Sequence, residues 1–281
     1  MHGEENMITS TSNQRVKQIV QWQTKAKARR QDGVFLAEGL KMYEEAPIEL
    51  IREVYLTEAL LQRLENQADT VSSIIEEKLQ RKLLQTGYEV VSEEVFAHMA
   101  DTMTPQGILT VLSRPVYTLE ELLQREHPLL VLLEDLQDPG NLGTILRTGE
   151  GAGITGVIMS KNTVDIYNPK TIRSTMGSIY RVPFIYTENI EQTVKILQEK
   201  GICVYAAHLQ GQNYYSSFSF TEGTAFLIGN EGNGLRRETA DLADSYLKIP
   251  MEGQVESLNA AIATSLLIYE AHRQRHLVEK G

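Results

Sequence analysis

The chain has 281 residues, of which 42% are hydrophobic, 23% charged and 7% aromatic. That is ordinary globular composition, and it excludes collagen-like, mucin-like, coiled-coil and wholly disordered classes. With 27 Lys and Arg against 37 Asp and Glu, the formal net charge is −10, so the chain is no general polyanion binder and any nucleic-acid site must be a local basic patch. A single cysteine, Cys203, excludes an internal disulfide framework and a Cys-cluster metal site, and points to an intracellular, cytoplasmic setting.

The opening MHGEEN is polar and slightly acidic, unlike a signal peptide, and no apolar run reaches the length of a membrane span. Residues 11–41 carry seven basic side chains (Arg15, Lys17, Lys25, Lys27, Arg29, Arg30, Lys41) against Asp32 and Glu38. This segment reads as helical, opening at Ser12 or Asn13 and stopping at Asp32-Gly33. Its charge fits either a solvated face or a phosphate-contacting one. Strands are expected at 34–39, 52–57, 88–91 and 107–113, with helices at 40–46, 58–87 and 92–100, the last with a start signal at Ser92, which describes a small α/β domain. Arg114-Pro115 is the expected boundary, giving domains 1–115 and 116–281. Beyond it, LLVLLE (129–134) is a continuous apolar run, as a strand buried on both faces should be. Helix and strand then alternate: helices at 119–125, 141–151, 168–177, 189–200, from about 234 and from about 257, and strands at 155–160, 182–186, 202–207, 224–229 and 245–250. The second domain is therefore a mostly parallel α/β sheet.

Two glycine patterns mislead. Gly151-Ala-Gly153-Ile-Thr-Gly156 has the spacing of a dinucleotide-binding fingerprint, and Gly149-Glu-Gly151-Ala-Gly153 that of a Rossmann-type methyltransferase. Both require a strand before and a helix after. Here a helix comes first and a strand follows, so the glycines are better read as a helix end and a turn.

Three blocks carry polar groups to the carboxyl edge of the expected sheet, where ligands bind in open parallel sheets. In EDLQDPGNLGTILRTGEG (134–151), Asn141 and Arg147 follow a Pro/Gly turn, and by spacing alone Asn141 reads first as a helix cap and Arg147 as an outward charge. In FLIGNEGNGL (226–235), glycines surround Glu231, whose carboxylate can cap the next helix or accept hydrogen bonds from a ligand. In IPMEGQVESLNAAIATSLLIY (249–269), a loop precedes a helix that is apolar nearly all round. That helix is either a core helix or one shared with a partner subunit.

Together, Asn-Leu-Gly with Arg147, the Gly-x-Glu-x-x-Gly-Leu of 229–235 and the Ile-Pro-Met…Ser-Leu-Asn of 249–259 resemble the SpoU/TrmH branch of the SPOUT RNA methyltransferases. STMGSIYRVPF (174–184) is similar to the family's linker. FLAEGLKMYEEA (35–46) and DTMTPQGILTVL (101–112) are similar to its ribosomal-protein-L30e-like substrate-binding domain. The resemblance implies an S-adenosylmethionine (AdoMet)-dependent transfer of a methyl group to an RNA ribose 2′-hydroxyl. It implies rRNA as substrate rather than tRNA, a trefoil knot at the carboxyl end and a homodimer through the SPOUT domain, with no metal required. Ile228, Gly229, Ile249, Met251 and Leu258 would hold the cofactor. Arg147, Asn141, Glu231, Ser257 and Asn259 would form the catalytic group, with Asn141 and Asn259 orienting Arg147. Lys25, Lys27, Arg29 and Arg30 would contact RNA. The family's first motif has alanines where this chain has Gly149 and Gly151, which weakens the helix by about 1 kcal/mol each. A base methyltransferase of the same superfamily and a non-catalytic RNA-binding protein are the rival readings.

Overall fold

The structure, a computed structural model, describes residues 7–66, 73–254 and 257–278. The MHGEEN opening, residues 67–72 of the expected 58–87 helix and residues 255–256 of the MEGQVE loop lie outside the described residues. The chain divides into two compact units.

The first unit begins with α1 (Gln14–Thr24) and α2 (Ala26–Asp32), then β1 (Val34–Glu38), α3 (Leu40–Glu45), β2 (Ile51–Thr57), α4 (Glu58–Asn66), α5 (Ser73–Thr86), β3 (Glu89–Val91), α6 (Glu93–Met99) and β4 (Ile108–Ser113). The sheet order is β1-β4-β2-β3, with β4 antiparallel to both neighbours and β2 parallel to β3. Val16, Ile19 and Trp22 of α1 pack on one face with Val34, Leu36, Tyr55 and Phe96. The expected caps are present: Asn13 opens α1, Ser92 opens α6, and Gly33 closes α2 at φ 64°.

The basic segment departs from the single helix expected. Lys25 is extended (φ −121°, ψ 107°) and separates α1 from α2. Asp32 joins the two, accepting hydrogen bonds from Trp22 Nε1 at 2.7 Å and Gln18 Nε2 at 2.9 Å. Arg29 corrects the expected RNA-contacting group. It is only 4% exposed, and its guanidinium donates to the carbonyls of Trp22 (2.6 Å) and Gln23 (3.2 Å). Those carbonyls end α1, so Arg29 satisfies a helix terminus. Lys25, Lys27 and Arg30 remain exposed.

The second unit holds α7 (Leu119–Leu122), β5 (Leu129–Leu133), α8 (Pro139–Ala152) and β6 (Gly156–Ser160). After α9 (Pro169–Thr175) it continues with β7 (Phe184–Thr187), α10 (Ile190–Glu199), β8 (Cys203–Ala207), β9 (Asn213–Tyr214), β10 (Thr224–Ile228), α11 (Arg237–Ala240), β11 (Ser245–Lys248) and α12 (Ala260–Val278). Its seven strands run in the order β7-β6-β5-β10-β8-β11-β9, every neighbouring pair parallel. Every residue of β5, β6 and β10 is buried, which explains their unbroken apolar runs. From β5 the order runs outward through β6 to β7 and, on the other side, through β10 and β8 to β11. The β5–β10 seam is thus where the winding reverses and where a ligand crevice opens.

The division drawn from sequence puts residues 167–180 in the second domain, but Tyr167–Tyr180 packs within the first unit. The ring of Tyr167 lies 5.0 Å from that of Phe35, and the guanidinium of Arg114 sits 4.3 Å above it.

The misleading glycines behave as their order implied: α8 ends at Gly153 (φ 75°) and β6 follows. Gly149 and Gly151 do not interrupt α8. A Cβ on Gly149 would lie 2.4 Å from Ile154 Cδ1, and one on Gly151 would lie 2.8 Å from the Tyr269 hydroxyl of α12, so both positions are occupied by neighbours. The helix expected from about 234 is shorter and starts at Arg237. The last helix starts at Ala260 rather than near Ser257, with Asn259 capping it by accepting from the backbone N–H of Ala261 (2.9 Å) and Ile262 (3.2 Å). It is covered on one side only. Ala261, Leu267, Ile268 and Ala271 are buried, whereas Ile262, Leu266 and Tyr269 are 51%, 39% and 46% exposed. Among the described residues no helix is long and apolar enough to cross a membrane.

The role of Arg29 gives a stability test. Arg29→Met should destabilise the first unit by about 1–3 kcal/mol, because two α1 carbonyls lose a charged donor, while Lys27→Met should change stability by less than about 0.5 kcal/mol. Urea denaturation of both variants checks this.

Candidate active site

Because β5, β10, β8 and β11 are parallel neighbours, the loops that follow them leave from one edge of the sheet. Leu133 of β5 pairs with Ile228 of β10, so the turn 134–138 and the loop 229–235 start side by side.

The turn after β5 is tightly held. Asp135 has a positive φ of 55°, and its backbone N–H donates to Ser160 Oγ at 2.9 Å, while Ser160 Oγ donates to the Asp135 carboxylate at 2.6 Å. Asp138 is the N-cap of α8, accepting from the backbone N–H of Asn141 at 2.8 Å. Asn141 is therefore not the cap, and its side chain is left for other partners. The loop after β10 folds back on itself: Asn230 and Gly234 exchange backbone hydrogen bonds of 2.9 and 3.1 Å. Gly229 makes this turn possible, because a Cβ there would lie 2.2 Å from Gly234 C and Leu235 N.

Glu231, at the tip of that loop, reaches across the seam. Its carboxylate accepts from the backbone N–H of Gln137 (3.0 Å) and Asp138 (2.9 Å) and from Asn141 Nδ2 (3.0 Å). Asn141 Oδ1 in turn accepts from Asn259 Nδ2 at 2.9 Å. One chain of hydrogen bonds thus joins all three sequence blocks. Glu231 does not cap the next helix, whose N-cap is Arg236, but binds the turn that opens α8. Partial burial pushes its carboxyl up, and the hydrogen bonds from Asn141, Gln137 and Asp138 outweigh this and hold it below the ordinary carboxylate range.

Beside this chain lies a cavity of about 330 Å³. Its lining includes every residue expected to hold the cofactor (Ile228, Gly229, Ile249, Met251 and Leu258), together with Glu231 and Ser257. Apolar Ile228, Leu247 and Leu258 face the exposed backbone of the glycine-rich loop, a combination suited to a nucleoside with an aliphatic tail. That lining fits AdoMet in its chemistry. His208, Leu209 and Lys248 also line the cavity and were missed from sequence. The signal was available only through strand order: β8, which ends at Ala207, lies between β10 and β11.

Arg147 stands apart. It lies six residues beyond Asn141 on α8, is exposed, and neither lines the cavity nor bonds Glu231, Asn141 or Asn259. The expectation that the two asparagines orient it is corrected: they bond each other and the Glu231 carboxylate.

The SpoU rRNA Methylase family profile matches residues 128–269, and that of the MRM3-like substrate binding domain matches residues 13–110. The chain belongs to the SpoU rRNA methylase family. It is 34% identical to the 23S rRNA (guanosine(2553)-2'-O)-methyltransferase RlmP of Bacillus subtilis (strain 168), covering 93% of this chain and 97% of that protein. Among solved structures, the AdoMet-bound rRNA methyltransferase from Sinorhizobium meliloti is similar with a TM-score of 0.81 at 30% identity, over 95% of this chain and 97% of that one. The SpoU methyltransferase AviRb from Streptomyces viridochromogenes, solved with AdoMet, is similar with a TM-score of 0.79 at 26% identity, over 94% and 98% of the two chains. In this SpoU chain the blocks that carried the resemblance are those the Glu231 network joins.

Two measurements test the site. Gly229→Ala forces a methyl group into the loop backbone and should abolish AdoMet binding in calorimetry while the chain stays folded by circular dichroism. The lowered pKa of Glu231 means that its ionised form is favoured on folding. The stability it adds is therefore present above the unfolded carboxyl pKa of about 4.3 and lost as pH falls through the lower folded value. The melting-temperature gap between the unaltered chain and Glu231→Gln should stay constant from pH 7 to 5 and close only in more acid solution.

Proposed function

We propose that the protein is an AdoMet-dependent RNA methyltransferase acting on a ribose 2′-hydroxyl, with rRNA as its substrate. The observation that carries this reading is the Glu231–Asn141–Asn259 chain, which ties the first sequence block to the two blocks that line one cavity of about 330 Å³. The rRNA assignment draws on the names of the Bacillus and Sinorhizobium relatives. With it goes work in the cytoplasm.

When bound, AdoMet supplies an electrophilic methyl group on a sulfonium. The chain's residues then have two tasks. Ile228, Gly229, Ile249, Met251 and Leu258 hold and enclose the cofactor, with Ser257 at the rim of the same cavity. Positioning the ribose is the larger contribution. Arg147 is free to meet a phosphate and the ribose oxygen: its fork of N–H donors suits both, and its positive charge would stabilise the negative charge that builds on that oxygen as the hydroxyl proton passes to solvent water. A guanidinium resists acting as a base, so its role is electrostatic. Asn141, bonded to Glu231, and Asn259, bonded to Asn141, hold the starts of α8 and α12 in register.

The division of labour follows the two halves of the sequence, 1–115 for RNA binding on an L30e-like fold and 116–281 for methyl transfer. The exposed Lys25, Lys27 and Arg30 supply the local positive charge that a chain of net charge −10 otherwise lacks. The exposed stripe Ile262, Leu266 and Tyr269 supports a homodimer through α12, since a second copy would cover it. The carboxyl-terminal trefoil knot belongs to the same proposal and draws on family membership.

Arg147→Ala should leave AdoMet affinity unchanged and lower kcat by about 10²–10³-fold, as loss of a transition-state donor does. Single-turnover methylation with the label mapped to ribose or base checks this. Wild-type rates, or a methyl on the base, would contradict the reading. Replacing Lys25, Lys27 and Arg30 by Glu should weaken RNA binding and flatten its salt dependence by about 0.7 in log–log slope per lost phosphate contact, leaving AdoMet binding intact. Filter binding across a salt series measures the slope.

A further inference from the structure

The loop 229–235 is anchored at its tip by Glu231, and a second carboxylate anchors its far end. Glu134, the residue after β5, is 1% exposed. It accepts from the Arg236 backbone N–H at 2.8 Å, from Arg236 Nε at 2.9 Å and from Thr239 Oγ1 at 2.5 Å, and Arg236 Nη2 lies 2.7 Å from it. Arg236 Nη2 is also 3.0 Å from Glu191 at the start of α10. A carboxylate withdrawn from water needs both an opposite charge and saturated hydrogen bonding. Glu134 has both, and Arg236 with the first turn of α11 supplies them.

The two anchors are reciprocal. Glu231 leaves the loop after β10 to take the N–H groups of Gln137 and Asp138 after β5. Glu134 leaves the end of β5 to take the N–H of Arg236 after β10. Between them, Asn230 Nδ2 donates to the Asp135 carbonyl at 2.8 Å. The cavity-lining residues 229–235 are therefore fixed from both ends to the neighbouring strand's turn. Neither Glu134 nor Arg236 lines the cavity or touches Asn141, Asn259 or Arg147.

We propose that the Glu134–Arg236 pair is a positioning element for the cofactor, holding the Gly229–Leu235 loop at the separation from the β5 turn that AdoMet requires. It rests on the AdoMet reading above and acts on cofactor affinity, not on the methyl-transfer step. The Arg236 side chain is 52% exposed, but its loss leaves the buried Glu134 carboxylate without its cation, so melting temperature is read beside affinity.

The test compares Arg236→Met, Arg236→Lys and Glu134→Gln with the unaltered chain, reading AdoMet Kd by calorimetry, KM and kcat for RNA methylation, and melting temperature. Arg236→Met and Glu134→Gln should raise Kd and KM for AdoMet about tenfold, the effect of losing one charge-assisted contact. The kcat at saturating AdoMet should stay within about twofold. Arg236→Lys, which keeps the charge but loses the fork, should recover part of the affinity. It carries the same test should the Met variant unfold. Folded variants that bind AdoMet as the unaltered chain does, or that lose kcat at unchanged KM, overturn the proposal. Failure of the unaltered chain to bind AdoMet overturns instead the reading beneath it.

Discussion

Glu231 reaches from the end of one parallel strand to the backbone of the turn after its neighbour, and most of the site follows from that bond. Its carboxylate gathers two N–H groups and the Asn141 amide, and Asn141 passes the connection on to Asn259 at the head of α12. Three loops that would otherwise move independently share one hydrogen-bonded chain. Each donor that Glu231 binds also favours its ionised form, so the chain is set at neutral pH.

The sheet makes this bond possible. An all-parallel order sends every strand's following loop to the same edge, and the β5–β10 seam brings the first two blocks within reach of one side chain. The third block leaves from β11, with β8 between it and β10, and closes the distance through Asn259, the cap of α12. Gly229 then sets how closely the loop can fold back on itself. Cofactor cavity and hydrogen-bonded chain are thus two consequences of one strand order.

Much of this was legible in the sequence. The unbroken apolar runs of β5 and β10, the caps Asn13, Ser92 and Gly33, and the helix-before-strand order around Gly151 are local signals, and local signals fix local structure. The five positions proposed for the cofactor were legible only as motif carry-over, and they line one cavity. What was hidden is long-range. Arg29 looks like its basic neighbours until the break at Lys25 turns it inward. The 167–180 segment gives no sign that it packs with the first unit. Lys248 and His208 reach the cavity because of strand neighbours that periodicity cannot reveal. Glu134 reads as the polar end of a strand until Arg236, 102 residues later, is seen beside it. The sequence leaves α12 as either a core helix or one shared with a partner, because apolar periodicity does not distinguish a covered face from the open stripe seen here.

The separation of tasks is equally physical. The basic segment presents exposed Lys25, Lys27 and Arg30, the cavity is lined by apolar groups and the glycine-rich loop, and Arg147 stands unpaired among the described residues. The central claim is that Glu231, Asn141 and Asn259 act as one unit. A double-mutant cycle of Glu231→Gln and Asn259→Ala, read by AdoMet calorimetry, tests it most directly, because the two side chains touch only through Asn141. A shared chain predicts a coupling energy above about 0.5 kcal/mol, whereas losses that simply add, to within about 0.3 kcal/mol, would contradict it.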